Sequence, residues 1–303
     1  MNKDLLAITD LTADQIGELL NDAIEIKARL KRGEEYQPLR EKTLLLIFQK
    51  PSCRTRVSFQ VGMYQLGGHA VYLSPDDIQL GKRELVSDVA RTLSRYGDGI
   101  MARLFGHGTI VELARYAAVP VINGLTDLLH PCQVLADLQT ILEWRGDLEG
   151  ARVAFVGDGN NVANSWLKAA ARLPLDLRMA TPPGYEPDEG ILQEARDAGI
   201  STILLTNDPG DAVREAEVIY ADVWASMGQE TEAEKRMRDF QGFQVDRTLV
   251  GKADKDVRVL HCLPAHRGQE ISDEVIEGSH SVVFDQAENR MHVQKAVLVK
   301  LMG

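Results

Sequence analysis

The sequence predicts an α/β protein: two doubly wound parallel-sheet domains joined by a long helix, with a C-terminal helix packing back on the first domain. Three observations predict it. Short apolar runs alternate with stretches of helical periodicity from end to end, the pattern of βαβ crossovers and parallel strands covered on both faces. The alternation breaks once, at a long helical stretch closed by Arg145-Gly146-Asp147, and then restarts. The 303 residues, at roughly 150 per domain, leave room for two cores.

Taken in order, Thr12 and Gln15 form a capping-box pattern, and Ile16, Leu19, Leu20 and Ala23 follow at helical spacing until Gly33. Thr43 to Phe48 reads as a buried strand. A loop from Gln49 to Arg54 follows, then a helix to Leu66. Gly67-Gly68 separates this helix from a strand at His69 to Leu73. A helix near Glu84 to Tyr96, a strand at Gly99 to Arg103, a helix near Thr109 to Ala117 and a strand at Val119 to Ile122 continue the rhythm. His130 to Trp144 is the long helix. Beyond it come a strand at Arg152 to Val156, a helix after Asn160, a strand at Leu175 to Ala180 and a helix at Asp188 to Ala198. Strands at Thr202 to Leu205, Val218 to Ala221 and Val257 to Leu260 complete the second half, and Gln286 to Leu301 closes the chain as a helix. The expected domains are 1–145, 146–285 and a returning helix at 286–303, with ligands beyond the carboxyl ends of the strands.

Composition removes several function classes. Hydrophobic residues make up 44% and charged residues 26%, an ordinary globular balance. The longest uninterrupted apolar stretch, Leu44 to Phe48, is far short of the about 20 residues that cross a membrane. Met1-Asn2-Lys3-Asp4 opens no signal-peptide pattern, so no membrane partner and a cytoplasmic location are expected. Forty-five acidic against 34 basic residues give a net charge of −11, which argues against nucleic acid as a partner. Cys53, Cys132 and Cys262 are odd in number and far apart, so reduced thiols are expected.

Five segments carry chemistry. Lys50-Pro51-Ser52-Cys53-Arg54-Thr55-Arg56 lies between a strand and a helix start, where backbone N–H groups, two hydroxyls and a guanidinium can cradle an oxyanion. His130-Pro131-Cys132-Gln133 opens the long helix with proline in its first turn, aiming an imidazole and an amide from the helix entrance. Val156-Gly157-Asp158-Gly159-Asn160-Asn161-Val162 resembles a dinucleotide turn, but Val162 occupies the third glycine position. The strand that follows also ends without an acidic residue. A tight turn presenting Asn161 is the better reading, and nicotinamide binding is disfavoured. Asp222, at a strand end before Val223 to Gly228, can hold a cationic amine or cap a helix. His261-Cys262-Leu263-Pro264-Ala265-His266 suggests a metal at first sight, but its spacing matches no zinc pattern.

Together these segments resemble the aspartate/ornithine carbamoyltransferase family over essentially the whole chain. The resemblance lies in S-x-R-T-R (Ser52 to Arg56), H-P-C-Q (His130 to Gln133), D-x-x-x-S-M-G (Asp222 to Gly228), H-C-L-P (His261 to Pro264) and D-Q-A-E-N-R (Asp285 to Arg290), in the family's order. It implies transfer of the carbamoyl group of carbamoyl phosphate to the δ-amine of L-ornithine, giving L-citrulline and phosphate. Ser52, Cys53, Arg54, Thr55, Gln79, Arg103, His130, Gln133, Cys262, Leu263 and Arg290 would bind carbamoyl phosphate. Arg54, Arg103, His130 and Cys262 would be catalytic, the first three stabilising the developing oxyanion. Asn161, Asp222, Ser226 and Met227 would bind ornithine, with Asp222 against the α-ammonium and Cys262 a positioner or proton partner. No metal and no organic cofactor are implied. A homotrimer with sites near subunit borders is.

One position departs from the family motif: Cys53 stands where threonine is usual, which keeps a backbone N–H contact and removes a hydroxyl. Other acceptors (putrescine, an N-acylated ornithine, aspartate) are the nearest alternatives, and aspartate is disfavoured by the carboxylate of Asp222. A nicotinamide-dependent oxidoreductase and a catalytically silent scaffold are the readings from other classes.

Overall fold

The computed structural model describes residues 2–225 and 232–303. The chain forms two compact units: one of Met1–Gln139 with Glu288–Gly303, the other of Thr140–Ala287. The changeovers fall inside helices, at Gln139/Thr140 and Ala287/Glu288, where the sequence suggested 145 and 286.

In the first unit, α1 (Ala13–Lys31) begins on the Thr12/Gln15 capping box, each side chain bonding the other's backbone N–H. Strands β1 (Thr43–Phe48), β2 (His69–Leu73), β3 (Gly99–Arg103) and β4 (Val121–Leu125) form a parallel sheet in the order β2-β1-β3-β4. The near-continuous apolar run of β1 is what a strand covered on both faces requires. Between the strands lie α2 (Cys53–Gln65), α3 (Pro75–Ile78), α4 (Val86–Leu93) and α5 (His107–Tyr116).

Three of the differences from the sequence reading in this unit have a local physical cause. The helix that carries S-x-R-T-R begins at Cys53, so Arg54 belongs to its first turn. Helix α3 was not foreseen, although Ser74-Pro75 with Asp77 supplies a capping box and a first-turn proline. Strand β4 begins after Pro120, which has no N–H to give a ladder, and runs through Asn123-Gly124, a pair that reads as a turn. It stays extended because Asn123 Nδ2 donates to the Leu6 carbonyl. Gly124 also packs so close to Met101 that a Cβ would meet the sulfur at 2.4 Å.

In the second unit, β5 (Ala151–Val156), β6 (Leu175–Ala180), β7 (Thr202–Thr206), β8 (Val218–Ala221) and β9 (Arg258–His261) form a parallel sheet in the order β7-β6-β5-β8-β9. The order reverses at β5/β8, the switch point of a doubly wound sheet. Helices α7 (Asn161–Ala170), α8 (Glu189–Asp197), α9 (Pro209–Val213), α10 (Ala233–Asp239), α11 (Arg247–Val250) and α12 (Asp273–Ile276) surround it. Phe155 stacks on Tyr220 and Trp166 meets Tyr220 edge-on, all three fully buried.

Two helices span the changeovers: α6 (Pro131–Arg145) and α13 (Val283–Met302). From Glu288 onward α13 packs on the first unit. There Asn289 accepts from Lys27 and Gln139, and Lys295 Nζ donates to Gln65 Oε1 at 2.9 Å. Among the described residues no helix is long and apolar enough to cross a membrane.

Candidate active site

In the first unit the candidate side chains come from four elements and the end of a fifth, α3. Ser52 caps α2, its Oγ accepting the Thr55 N–H at 3.3 Å and donating to Thr55 Oγ1 at 3.1 Å. The first-turn N–H groups of Cys53 and Arg54 have no intrahelical acceptor by helix geometry, and the positive end of the helix dipole lies there. Arg54 is half-buried, and its Nε is buried without a hydrogen-bond partner, a donor suited to an anion. Arg56, by contrast, is engaged elsewhere, stacked on the Tyr72 ring at 3.9 Å and bonded to Gln60. Cys53 is exposed, so its thiol fills no packing role.

From α13, Arg290 reaches both the cap region and the long helix. Its Nη2 donates to Thr55 Oγ1 at 2.6 Å and its Nη1 to Gln133 Oε1 at 3.3 Å. Gln133 Nε2 in turn donates to Asp137 Oδ1, which fixes the amide orientation. Arg103 ends β3 and is buried, as is His130 just ahead of α6. Burial holds the His130 imidazole well below its ordinary range, and the positive charges of Arg290 and Arg103 push the same way. The ring is therefore neutral at pH 7. Cys132, two residues on, donates to the Asn123 carbonyl, and burial pushes its thiol up to about 12. Gln79 is exposed, in a left-handed conformation after α3, and no hydrogen bond links its side chain to this group.

In the second unit the site residues lie at the carboxyl ends of β5, β8 and β9. Asp222, only 2% exposed, follows β8. Its Oδ1 accepts from the Val223 N–H at 2.8 Å and from Cys262 Sγ at 3.0 Å, and its Oδ2 accepts from Asn160 Nδ2 at 2.7 Å. The glycine turn after β5 serves this packing. Gly157 has φ +152, and a Cβ there would stand 3.0 Å from the Asp222 carbonyl oxygen. At Gly159 a Cβ would collide with the Glu186–Pro187 backbone at 2.3 Å. Asn160 is thus the side chain that turns toward Asp222, and Asn161, which the sequence reading expected the turn to present, begins α7.

Beside this group Asp158 pairs with Arg236, Oδ2 to Nη1 at 3.1 Å, and Arg236 also donates to the Trp224 carbonyl. Burial pushes Asp158 up to about 6, against the pull of Arg236 and with the help of the Asp222 charge. Ser226 and Met227 lie outside the described residues.

His261 is the last residue of β9 and is buried. Its Nδ1 accepts the Leu263 N–H at 2.8 Å, so Nε2 carries the proton and donates to Glu270 Oε1 at 3.1 Å. Glu270 also accepts the His266 N–H. This arrangement holds Leu263 at φ +56, ahead of a cis bond to Pro264, and sets Cys262 beside Asp222. His261 is thereby occupied in shaping the loop. No group of three metal-ligating side chains occurs among the described residues. The sequence pointed to neither Asn160, Glu270 nor Arg236. The side-chain cap of α7 was a signal for Asn160, while Glu270 and Arg236 carry none.

Two sequence profiles match the chain in tandem. Residues 3–143 match the aspartate/ornithine carbamoyltransferase carbamoyl-P binding domain, and residues 149–301 match the Asp/Orn binding domain. The chain belongs to the aspartate/ornithine carbamoyltransferase family. Among family members, the ornithine carbamoyltransferase of Syntrophus aciditrophicus is 54% identical over 298 residues, 98% of this chain and 99% of that protein. The anabolic ornithine carbamoyltransferase of Pyrococcus furiosus is 54% identical over 305 residues, 99% of this chain and 96% of that one. A solved ornithine carbamoyltransferase structure from P. furiosus superposes with a TM-score of 0.95 at 53% identity, covering 99% of this chain and 97% of that one.

Proposed function

We propose that the chain transfers the carbamoyl group of carbamoyl phosphate to the δ-amine of L-ornithine, releasing L-citrulline and phosphate. The cradle of Ser52, Cys53, Arg54 and Thr55, with Gln79, Arg103, His130, Gln133 and Arg290, binds the acyl phosphate. Asn161, Asp222, Ser226 and Met227 bind ornithine, and Cys262 and Leu263 join the residues that bind carbamoyl phosphate. The observation that carries the acceptor assignment is the buried Asp222 carboxylate beside the Cys262 thiol. That pair suits an ammonium-bearing amino acid and repels the second carboxylate of aspartate.

The chemistry follows from charge. The neutral δ-amine attacks the carbonyl carbon, the carbonyl oxygen gains negative charge, and the C–O bond to phosphate then breaks. Arg54 and Arg103 stabilise that oxygen electrostatically, and His130, neutral at pH 7, contributes one N–H without a charge of its own. The departing phosphate takes up the proton that the amine releases. Cys262 positions the amine; its hydrogen bond to Asp222 keeps the sulfur a donor, which disfavours nucleophilic attack by the thiol. The Cys53 departure leaves the backbone N–H contact to phosphate in place.

Self-association as a homotrimer is part of this reading. Its support is a stripe of exposed apolar side chains at helical spacing on α2, with Val57 49%, Val61 37% and Tyr64 80% exposed. A reducing, cytoplasmic setting suits three cysteines that are all free thiols. Citrulline formation by the purified chain tests the function.

A further inference from the structure

Asn160 bonds in two directions at once. Its Oδ1 accepts the N–H groups of Val162 and Ala163, at 2.9 and 3.3 Å, as the cap of α7. With the oxygen so engaged the amide has one orientation, and Nδ2 faces Asp222 Oδ2 at 2.7 Å. Asp222 is therefore gripped from both sides: Asn160 on Oδ2, and the Val223 N–H with the Cys262 thiol on Oδ1. Without the Asn160 donor, a carboxylate held through one oxygen is free to turn about its Cβ–Cγ bond, and the Cys262 contact turns with it.

We infer that Asn160 is a positioning residue for the transfer reaction. It locks the Asp222 carboxylate in the orientation that accepts the Cys262 thiol on one oxygen and meets the amino-acid substrate. The inference rests on the ornithine reading of the site. It differs from a purely structural cap because the cap uses Oδ1 alone, while the grip on Asp222 uses Nδ2.

Two substitutions separate those roles. Asn160→Ser and Asn160→Asp both keep a side-chain oxygen to cap α7, and the three residue types rank alike at that position, so both variants fold; Asn160→Ser melts close to the unmutated chain, and Asn160→Asp melts lower because its carboxylate faces that of Asp222. Serine is too short to reach Asp222, and aspartate sets an oxygen against an oxygen. Ornithine kcat/KM falls on the order of ten- to a hundred-fold in both, the scale of losing a hydrogen bond to a charged group, while KM for carbamoyl phosphate stays within about twofold. Alkylation of Cys262 by iodoacetamide, followed at that residue by mass spectrometry, moves in opposite directions. It is faster in Asn160→Ser, where the thiol loses its carboxylate partner, and slower in Asn160→Asp, where added negative charge disfavours the thiolate. Ornithine kcat/KM within about twofold of normal in both variants overturns the inference, as does a fall with Cys262 alkylation unchanged. An unmutated chain that makes no citrulline overturns the functional reading instead, and the alkylation series still decides the grip on Asp222.

Discussion

The Arg290 guanidinium donates to the Thr55 hydroxyl at 2.6 Å, joining residues 235 positions apart in the chain. Through its other nitrogen it reaches Gln133, so one side chain from the returning helix ties the α2 cap to the long helix. A planar fork can hold both partners and still present a charge, which a lysine ammonium cannot do in the same geometry. Arg290→Lys is therefore expected to raise KM for carbamoyl phosphate about tenfold or more, with a smaller effect on KM for ornithine. Steady-state kinetics with each substrate varied in turn checks this, and an unaltered carbamoyl phosphate KM contradicts it.

Arg54→Ala and His130→Ala are each expected to lower kcat by on the order of 10²-fold or more, the scale of losing one oxyanion partner. In the proposed reaction the two act on the same oxygen by different physics, a full charge from Arg54 and a neutral N–H from His130. Near-normal turnover in both variants would remove the oxyanion assignment.

Lys295 gives a pH-dependent stability prediction. Burial pushes its amine down from 10.5 to about 8, and among the described residues no carboxylate pairs with it, only Gln65. Between those pH values the unfolded chain binds more protons than the folded one, so this group makes the protein more stable as pH rises from 8 toward 10.5. Lys295→Met should raise the melting temperature most at pH 7, where the buried amine is charged. The gain should shrink at pH 9 and above. Melting curves across that range decide it; a gain independent of pH would show that desolvation of the amine is not the cause.

The exposed apolar face of α2 predicts assembly. Sedimentation at micromolar concentration should give a trimer, and Val61→Glu should shift the mass toward monomer by placing a charge in the middle of that stripe. A monomer in the unmutated chain is the contrary result.

Much of the fold was legible because its signals are local. The apolar runs of β1, β2, β3, β6 and β8 are bounded by turn residues, and their ends fall where the sequence put them. Strand β4 was misread because Asn123-Gly124 has turn chemistry that is overridden at a distance, by Met101 packing and the Leu6 carbonyl. For the site, the motifs pointed to Asp222 and Cys262 separately, but that they meet at 3.0 Å depends on the order of β8 and β9 in the sheet. Asn160 and Asn161 are indistinguishable by composition; which one faces Asp222 is decided by where α7 begins. Glu270, which fixes the His261 tautomer, sits in a loop with no motif around it.

The acceptor specificity is the central claim, and offering L-ornithine, putrescine and N-acetylornithine in parallel with carbamoyl phosphate measures it directly. Carbamoylation of L-ornithine should exceed that of the other two by on the order of 10²-fold or more in kcat/KM, since putrescine lacks the carboxylate and N-acetylornithine lacks the ammonium that Asp222 is proposed to receive. Equal or faster carbamoylation of either analogue would contradict the account.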